Sequence, residues 1–550
     1  MERSLSTESA PPFPTTDPDK EVQIFARAAG AFTAAWQKPV LQSASGKLVL
    51  FGAIVLLCAI RAYIGLIGSR DFSHDAFMLL DGAWRMLNGQ HPHIDFYSHV
   101  GFLAYLPTEV GLILSRGTAW GFGYGQALVG LLIGFWAYFL GRGKLADVPL
   151  TLLCVSVVLM AVTPFALGFS PMKPTPGMVY NRQGYAFLAL LLVEAFQQAG
   201  IARPKEEFGG GLSTGAVLAI LFFLKITYFA FALFFVIALL PCREQTRQRW
   251  VGITVGCLSI TFAACAYYKF RIGPLIHDLI TIGGGKHIRL GWYMIDGVLA
   301  DAIVSLALAL VAALLLAAYK EYKSALAISL AGLVIAFSGS ALILGNYEQN
   351  GFPMAVFLAI VVLNVVTLRI PATPKRLDLF QTAVLLFGSA LVLGSWVSGG
   401  LGMAFALAQR VLPHYSAAFN MARLKGFTTG PDDDWYAQLV NDGVPLVKAH
   451  TRPNDTIMSL DFTNPFSYGL GMRPAYGGTP VFQFGTTFND RFKPTPQFLI
   501  GSADLVAVPK HASDPTLDAN VPRIYGPYLT SHFHIVGESH DWRLYRRNEE

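Results

Sequence analysis

The sequence contains little charge. Only 14% of its 550 residues are Asp, Glu, Lys or Arg, and 53% are hydrophobic, whereas a soluble globular domain carries roughly 25% charged residues. This shortage excludes a cytosolic enzyme, a disordered protein and a nucleic-acid-binding protein. The net charge of +6 is modest, and we attribute it to basic residues placed around membrane spans.

Cysteine is also scarce, and the five residues present show no CxxC spacing. Four of them lie inside apolar runs, and the fifth lies in a basic loop. We therefore expect neither a disulfide framework nor a cysteine-based metal site. The cysteines are Cys58, Cys154, Cys242, Cys257 and Cys265.

The N-terminal part of the sequence lacks a signal-peptide pattern. Residues 1–46 are polar and rich in Pro, Ser and Thr, with an amphipathic stretch at 21–37, and the first apolar run starts only near Leu48. Nothing after that run resembles a cleavage site. We expect residues 1–46 to form a cytoplasmic tail.

Long apolar runs are abundant. A membrane-spanning helix needs about 20 apolar residues, and several runs approach this length. With the segments treated next, they predict an α-helical polytopic membrane domain over 47–400, with about 11 membrane segments. The clear runs are 48–67, 121–141, 147–163, 183–199, 250–268, 297–318, 324–344, 353–369 and 379–398.

The segment 100–116 is short and contains Pro107 and Glu109. If it crossed the membrane, basic residues such as Arg142 and Lys144 would fall outside. If it lies along the outer surface, the basic loops fall inside, as the positive-inside rule favours. We therefore predict an interfacial helix within a first outer loop over 68–120.

The apolar segment 213–240 has Lys225 near its middle and basic residues on both flanks. One long helix would put these flanks on opposite sides of the membrane, whereas two short helices meeting near Lys225 would keep both inside. We favour the pair over a single tilted helix, because broken helices are tolerated where they line a cavity. A lysine at that depth is expected to face the protein interior, since charge in hydrocarbon is costly.

The composition changes near residue 400, where Pro, Gly and Asp clusters begin. A helical pattern at 432–450 precedes short strand-like runs. We therefore predict a small extracytoplasmic α/β domain over 401–550. The strand-like runs are 455–462, 504–510, 533–539 and 542–547.

The first outer loop concentrates ionisable residues. Asp71, His74 and Asp75 follow the first span closely, and the two aspartates share a face if both are helical,. A carboxylate at the mouth of a membrane cavity can act as a general base, because partial burial raises its pKa. The plainer alternative is that Asp71 caps a helix and the other side chains are solvated.

Histidines raise a metal alternative for the same loop. His91, His93, Asp95 and His99 follow the helical stretch, so four histidines and three aspartates occur within residues 74–99. However, HExxH is absent and HPH is not a usual ligand spacing. A zinc site is therefore the weaker alternative.

Residues at the second membrane re-entry suit an anionic ligand. Tyr180, Asn181 and Arg182 stand there, and an arginine can bind phosphate through its bidentate fork. An interfacial anchor is the equally simple alternative.

Two further outer segments carry candidate binding residues. Lys286, His287 and Arg289 adjoin a Gly-rich run that suits an anionic head group, although ordinary loop charge also explains them and no Walker A motif is present,. Asn346 and Gln349 suit a hydroxyl-rich ligand, although a simple turn is the more economical interpretation.

The first-loop pattern resembles the GT-C class of integral membrane glycosyltransferases. In that class an early acidic residue is followed by G-x-x-P-x-x-D-F and a Gly-led interfacial helix. Here the pattern reads Asp75, then Gly89 to Phe96 (GQHPHIDF), then Gly101. The resemblance covers the topology of most of the chain, and its motif evidence is confined to about 30 residues.

The resemblance implies inverting transfer from a polyprenyl-phosphate sugar to an envelope glycan or lipid acceptor, on the outer side of a bacterial plasma membrane. The base would be Asp75, with Asp71 as its rival and Asp95 as a second carboxylate. No cofactor is implied, and a divalent metal stays compatible. The substrate-binding candidates are His74, His93, Tyr180, Asn181, Arg182, Lys225, Lys286, His287, Arg289, Asn346 and Gln349.

The sequence departs from several members of that class. It lacks the adjacent Asp-Glu pair of protein O-mannosyltransferases and the WWD-type motif of oligosaccharyltransferases, and His99-Val100-Gly101 replaces Lys/His-Pro-Pro. We therefore do not expect a protein-glycosylating enzyme of those types. The alternative function is a transporter or flippase of lipid-linked or envelope saccharides, which predicts matching broken helices in two halves; one broken pair is found.

Overall fold

The computed structural model describes Trp36 and residues 38–66, 69–196, 204–286, 292–346, 353–370, 378–412 and 417–549. Most of the predicted tail 1–46 lies outside these ranges. So do the predicted site residues His287, Arg289 and Gln349. Asn346 is described only as the last residue of a helix.

The described residues up to 412 are almost entirely helical, and their helices pack into one bundle. The helices are α1 (Ala44–Ile64), α2 (Ser73–Leu87), α3 (Phe102–Leu114), α4 (Gly121–Gly141), α5 (Asp147–Val162), α6 (Val179–Ala195), α7 (Pro204–Leu224), α8 (Ile226–Ala238), α9 (Arg247–Tyr267), α10 (Gly273–Gly285), α11 (Trp292–Ala318), α12 (Tyr322–Asn346), α13 (Pro353–Arg369) and α14 (Asp378–Val411).

Seven of these helices are long and apolar enough to cross a membrane, namely α1, α4, α7, α9, α11, α12 and α14. Four shorter apolar helices, α3, α5, α8 and α13, accompany them. This architecture confirms the predicted α-helical integral membrane protein. The number of 11 membrane segments stays a prediction, because helix length alone does not show how the shorter helices cross.

Lys225 divides the segment 213–240 into two helices, as predicted. Its backbone is extended (φ −162°, ψ 123°) between α7 and α8. Arg243, which follows α8, donates to Glu207 in the first turn of α7 at 2.5 Å. The two helices therefore form a hairpin whose flanks lie at the same end of the bundle, and Lys225 lies at its tip.

The segment 100–116 forms α3, a helix of 13 residues. At 1.5 Å per residue it is about 20 Å long, which is shorter than the roughly 30 Å hydrocarbon core of a bilayer. It packs against α2 and α4. This length is consistent with the interfacial helix that we predicted.

The predicted outer segments meet at one end of the bundle. The Ser69 N–H donates to the Thr428 carbonyl oxygen at 2.9 Å, and the Arg70 N–H donates to the Pro174 carbonyl oxygen at 2.9 Å. The side chain of Asn489 in turn donates to the Gly284 carbonyl oxygen at 3.0 Å. Which side of the membrane this end faces stays a prediction.

The C-terminal region contains the predicted α/β domain. Its five-stranded sheet has the order β4-β3-β5-β7-β6, in which β3 pairs in parallel with β4 and β5, and β7 pairs antiparallel with β5 and β6. The strands are β1 (Ala417–Ala418), β2 (Thr428–Thr429), β3 (Thr456–Ser459), β4 (Arg473–Pro474), β5 (Leu505–Pro509), β6 (Phe533–Glu538) and β7 (Trp542–Arg547). The remaining helices are α15 (Asp434–His450), α16 (Phe466–Leu470), α17 (Pro496–Ile500) and α18 (Thr516–His532).

The four strand-like runs and the helical pattern at 432–450 correspond to β3, β5, β6, β7 and α15. Besides several short elements, two longer features were not predicted. The helix α18 was missed, and Pro522 and Pro527 within it explain why its pattern is weak,. The helix α14 also continues to Val411, past the predicted domain boundary at 400.

The first outer loop is docked on the C-terminal domain by a buried ion pair. Arg85 in α2 donates to Asp81 Oδ2 at 2.8 Å, and neither side chain is exposed. The guanidinium of Arg85 also donates to the carbonyl oxygens of Ala475 at 2.8 Å and Gly477 at 2.7 Å. Asp81 additionally accepts from Ser467, so the pair ties α2 to segments almost 400 residues away in sequence.

Arg85→Ala should destabilise the protein strongly, because it leaves the Asp81 carboxylate buried without its partner. The expected loss in free energy of unfolding is about 3–5 kcal/mol, measured as a lower melting temperature in detergent. Arg452→Ala, which removes the exposed pair with Glu549, is the matched control and should cost about 0–1 kcal/mol. Equal losses in the two variants would contradict this account.

Candidate active site

Helix α2 begins at Ser73 because an acidic side chain of the C-terminal domain caps it. The Ser73 N–H donates to Asp433 Oδ2 at 2.6 Å, and the preceding residue, Phe72, has a left-handed backbone (φ 56°). The capping carboxylate is therefore Asp433 and not Asp71. Asp75 lies in the first turn, where free backbone amides and the helix dipole favour a negative charge.

Asp75 lies between the first turn of α2 and the second outer segment. Its Oδ1 is 3.5 Å from His74 Nε2, and its side chain is 15% exposed. A Cβ atom placed on Gly177 would lie 2.9 Å from Asp75 Oδ2. The second outer segment therefore packs directly against this carboxylate. The contact is made by Gly177, which has no side chain.

Asp71 has a different environment. Its Oδ2 is 3.4 Å from Lys173 Nζ, which is also 3.5 Å from Asp432. The charge of Asp71 raises the pKa of the Lys173 ammonium. Asp71 is thus held in an ion pair at the rim of the loop.

Two lysines lie on other segments of the same region. Lys225 lies at the break between α7 and α8, and Lys286 lies in the third outer segment. Lys225 Nζ donates to Asn181 Oδ1 at 3.0 Å and lies 5.1 Å from the centroid of the Tyr180 ring. Tyr180 is close enough to Asp75 to interact with its charge. Lys286 donates to the Gly345 carbonyl oxygen in the last turn of α12, where the helix dipole favours a cation.

His99 joins this group, although the sequence pointed to it only in the metal alternative and not among the substrate-binding candidates. Its ring centroid is 6.5 Å from that of Tyr180. Burial and the positive charges of Lys225, Lys286 and His93 lower the pKa of His99 to about 3. The imidazole is therefore neutral at physiological pH, and its buried Nδ1 has no hydrogen-bond partner among the described residues.

The structure therefore brings together five of the predicted residues and one further histidine. They come from the first outer loop, the second membrane re-entry, the helix break and the third outer segment. We call this group the Asp75–lysine cluster. Its members are Asp75, His99, Tyr180, Asn181, Lys225 and Lys286.

Three other predicted residues, Arg182, Asp95 and His93, form hydrogen bonds outside this cluster. Arg182 donates to the carbonyl oxygens of Met160 at 2.9 Å and Phe165 at 2.8 Å, so its guanidinium stabilises the end of α5. Asp95 accepts from the backbone N–H of His91 at 2.8 Å, which closes a turn in the first loop.

His93 is likewise used for structure. Its Nδ1 is 2.9 Å from Asp278 Oδ2 in α10, and both side chains are buried. Asp278 also accepts from the Ser98 N–H at 3.3 Å, and burial raises the pKa of its carboxyl. This contact fixes α10 to the first loop, and sequence spacing gave no sign of it because 185 residues separate the pair.

The C-terminal domain supplies an aromatic wall beside the cluster. The ring centroid of His74 lies 4.8 Å from that of Phe462, 5.7 Å from that of Tyr436 and 6.5 Å from that of Trp435. Burial among these rings lowers the pKa of His74 to about 4. The position of Trp435 and Tyr436 in an amphipathic helix gave no hint of this role.

The metal alternative rests on the histidines of the first loop. Within the ranges that the structure describes, no three His, Cys, Asp or Glu side chains are placed to hold a metal ion. Two of the four first-loop histidines, His91 and His93, instead pair with single carboxylates.

No protein-family model matches the sequence, and no curated protein matches it. Among solved structures, the chain is similar to ArnT from Cupriavidus metallidurans in the apo state. The match covers 91% of this chain and 98% of ArnT, with a TM-score of 0.46 and 13% identity.

Two further solved structures are similar. The undecaprenyl phosphate-bound form of the same ArnT matches over 92% of this chain and 98% of its own, with a TM-score of 0.45 and 12% identity. The archaeal oligosaccharyltransferase AglB from Archaeoglobus fulgidus, in complex with an inhibitory peptide and a dolichol-phosphate, matches over 85% and 70%, with a TM-score of 0.37 and 12% identity.

The neutral state of His99 predicts a pH dependence of stability. Its folded pKa is about 3, below the value of about 6.5 in an unfolded chain. The unfolded state therefore binds more protons between these values, and stability falls as the pH drops through that window. His99→Gln should reduce the fall in melting temperature between pH 7 and pH 4.5.

His277→Gln is the matched control, because the His277 side chain is 74% exposed. It should leave the fall in melting temperature unchanged. A pH dependence that is the same in the wild type and in His99→Gln would show that this histidine does not titrate as described.

Proposed function

We propose that the chain transfers a sugar from a polyprenyl-phosphate donor to a glycan or lipid acceptor of the cell envelope. Transfer takes place on the outer side of a bacterial plasma membrane, with inversion at the anomeric carbon. One observation carries the proposal: the Asp75–lysine cluster joins a carboxylate to two lysines at one end of a membrane bundle. Four separate segments are needed to assemble it.

The lysines suit the phosphate of a lipid-linked donor. Lys225 is the residue before the first turn of α8, where the helix dipole also favours an anion. Lys286 and the neutral His99 add a second positive charge and an N–H donor. Fixed donors of this kind stabilise the negative charge that develops on a departing phosphate.

The location of the cluster suits the same donor. A polyprenyl chain lies in the hydrocarbon of the bilayer, so the bond between its phosphate and the sugar lies near the membrane surface. The tip of the α7–α8 hairpin and the first turn of α2 provide charge at the end of the bundle where such a bond would lie. A soluble nucleotide sugar would not require charged groups at the ends of membrane helices.

Asp75 is the proposed general base. It accepts the proton of an acceptor hydroxyl while the hydroxyl oxygen attacks the anomeric carbon. The bond from that carbon to the phosphate oxygen breaks, polyprenyl phosphate leaves with the electron pair, and the proton remains on Asp75. A positioned base of this type contributes about 10²–10⁴ in rate.

The remaining residues have supporting roles in this proposal. Tyr180 and Asn181 position Lys225, and His74 holds Asp75 against the aromatic wall of the C-terminal domain. Asp71 orders the rim through Lys173, and Asp95 shapes the loop. The sugar and the acceptor are left open, as is the choice between a hexosyl and a pentosyl group.

Asp75→Asn should abolish transfer, because an amide cannot accept the acceptor proton. The expected fall is about 10²–10⁴ in rate, measured as release of polyprenyl phosphate from polyprenyl-phosphate sugars in the presence of envelope acceptors. The matched control is Asp71→Asn, which removes the same charge four residues earlier and should retain most activity. Full activity in Asp75→Asn would remove Asp75 from the base role, and loss of activity in Asp71→Asn alone would assign that role to Asp71.

A further inference from the structure

Three arginines from separate segments surround the turn between α3 and α4, at the end of the bundle that carries the C-terminal domain. Arg410, in the last turn of α14, lies over Trp120 with its Cζ 3.4 Å from the ring centroid. Arg423 belongs to the C-terminal domain, and its Nη1 would lie 3.1 Å from a Cβ atom placed on Gly117. Arg116 immediately precedes that glycine. We call Arg116, Arg410 and Arg423 the arginine cluster.

The C-terminal domain holds this turn in place. The Ala119 N–H donates to the Arg423 carbonyl oxygen at 3.0 Å, and the Tyr468 hydroxyl donates to the Gly117 carbonyl oxygen at 3.1 Å. Arg116 and Gly117 both have a left-handed backbone, with φ angles of 55° and 80°, so the chain reverses sharply here. The backbones that carry Arg116 and Arg423 are therefore fixed next to each other.

The protein does not balance the positive charge of the arginine cluster. Within the ranges that the structure describes, no carboxylate lies within 4.0 Å of any of the three guanidinium groups. The buried Nη1 of Arg423 has no hydrogen-bond partner. The segments 44–70, 110–146 and 379–430, which form this region, contain no Asp or Glu. Like charges held together without a counter-ion repel one another, so an anion is expected to complete the cluster.

Two of the guanidinium groups are held by aromatic rings. Arg410 lies over Trp120, and the Cζ of Arg423 lies 4.3 Å from the centroid of the Trp84 ring. A ring of this kind contacts the face of a guanidinium, whereas the N–H donors point outward in its plane. The stacked arginines therefore keep their donors for an anion, and phosphate accepts two such N–H groups at once.

A pocket of about 360 Å³ lies beside the cluster and has an apolar side. Arg116, Trp120, Tyr63 and Leu114 are among the residues that line it, and Tyr63 is close enough to Arg410 to interact with its charge. Tyr63 is 55% exposed and Leu114 is 58% exposed. Both belong to helices of the membrane bundle, so this side of the pocket faces lipid. Arginine donors next to an apolar wall suit a ligand with an anionic head group and acyl chains.

We propose that the arginine cluster binds the phosphate of an anionic glycerophospholipid. Arg116 and Arg410 hold the phosphate, Arg423 adds a third positive charge, and the acyl chains lie along Tyr63 and Leu114. Three unbalanced positive charges favour a lipid with a net negative charge over a zwitterionic lipid. The phosphate of the polyprenyl donor is assigned to other residues, in the Asp75–lysine cluster, so this site does not depend on the proposed reaction.

The test is lipid retention by the full-length protein, measured by native mass spectrometry. The wild type should retain phosphatidylglycerol about tenfold better than phosphatidylcholine, and Arg116→Gln/Arg410→Gln should remove that preference. Lys269→Gln/Arg271→Gln removes the same charge from exposed residues outside the pocket lining, and it should keep the preference. Equal losses in both double variants, or no preference in the wild type, would overturn the proposal.

A single variant keeps the test valid if loss of the Arg410 stacking contact impairs folding. Arg116 is exposed, so Arg116→Gln should fold with a melting temperature in detergent near that of the wild type. It should reduce the preference for phosphatidylglycerol about fivefold. An unchanged preference in this variant would contradict the proposed role of Arg116.

Two further arms identify the source of the phosphate. Inorganic phosphate in millimolar excess should not displace phosphatidylglycerol, and displacement would show a site for a soluble anion. Undecaprenyl phosphate should be retained equally by the wild type and by Arg116→Gln/Arg410→Gln, because its phosphate is assigned to the lysines. Either displacement by inorganic phosphate, or retention of undecaprenyl phosphate that depends on these two arginines, would overturn the assignment to a glycerophospholipid.

Discussion

The ammonium of Lys225 sets the main constraint on this structure. Lys225 lies at the tip of a hairpin of membrane helices, and a charged group is costly in hydrocarbon, so it requires polar partners from within the protein. Asn181 accepts its hydrogen bond, the Tyr180 ring lies beside it, and the helix breaks at Lys225 itself. The break turns α8 back toward the start of α7, and the same turn places the charge near the segment that covers Asp75. A single interaction thus relates the course of the membrane helices to the composition of the candidate site.

The bundle has two chemically different ends. At one end, the first outer loop, α10 and the C-terminal domain are joined by contacts between residues far apart in sequence, such as His93 with Asp278 and Ser73 with Asp433. At the other end, Glu194 lies between Arg243 and Arg249, and Arg243 also pairs with Glu207. The few charges in the sequence are therefore concentrated where the helices end. This placement suits a protein that handles a ligand with a polar head and a long apolar chain.

Much of the fold could be predicted from periodicity and charge. The break at Lys225 follows from basic residues on both flanks, and strands such as β5 and β7 follow from runs of β-branched and aromatic residues. The partners of single side chains could not be predicted in this way. Arg182 looked like a phosphate ligand, but its guanidinium caps carbonyl groups at the end of α5. His99 is a neutral member of the cluster because it is buried beside Lys225 and Lys286. Its burial and its lysine neighbours both depend on tertiary contacts.

The central claim is that the Asp75–lysine cluster binds a lipid phosphate. The most direct measurement is an experimental structure of the protein in nanodiscs with undecaprenyl phosphate added. The account predicts phosphate density within hydrogen-bonding distance of Lys225 Nζ and Lys286 Nζ, with Asp75 facing the space beside it. Phosphate density elsewhere on the protein, with none at Lys225 and Lys286, would contradict the claim.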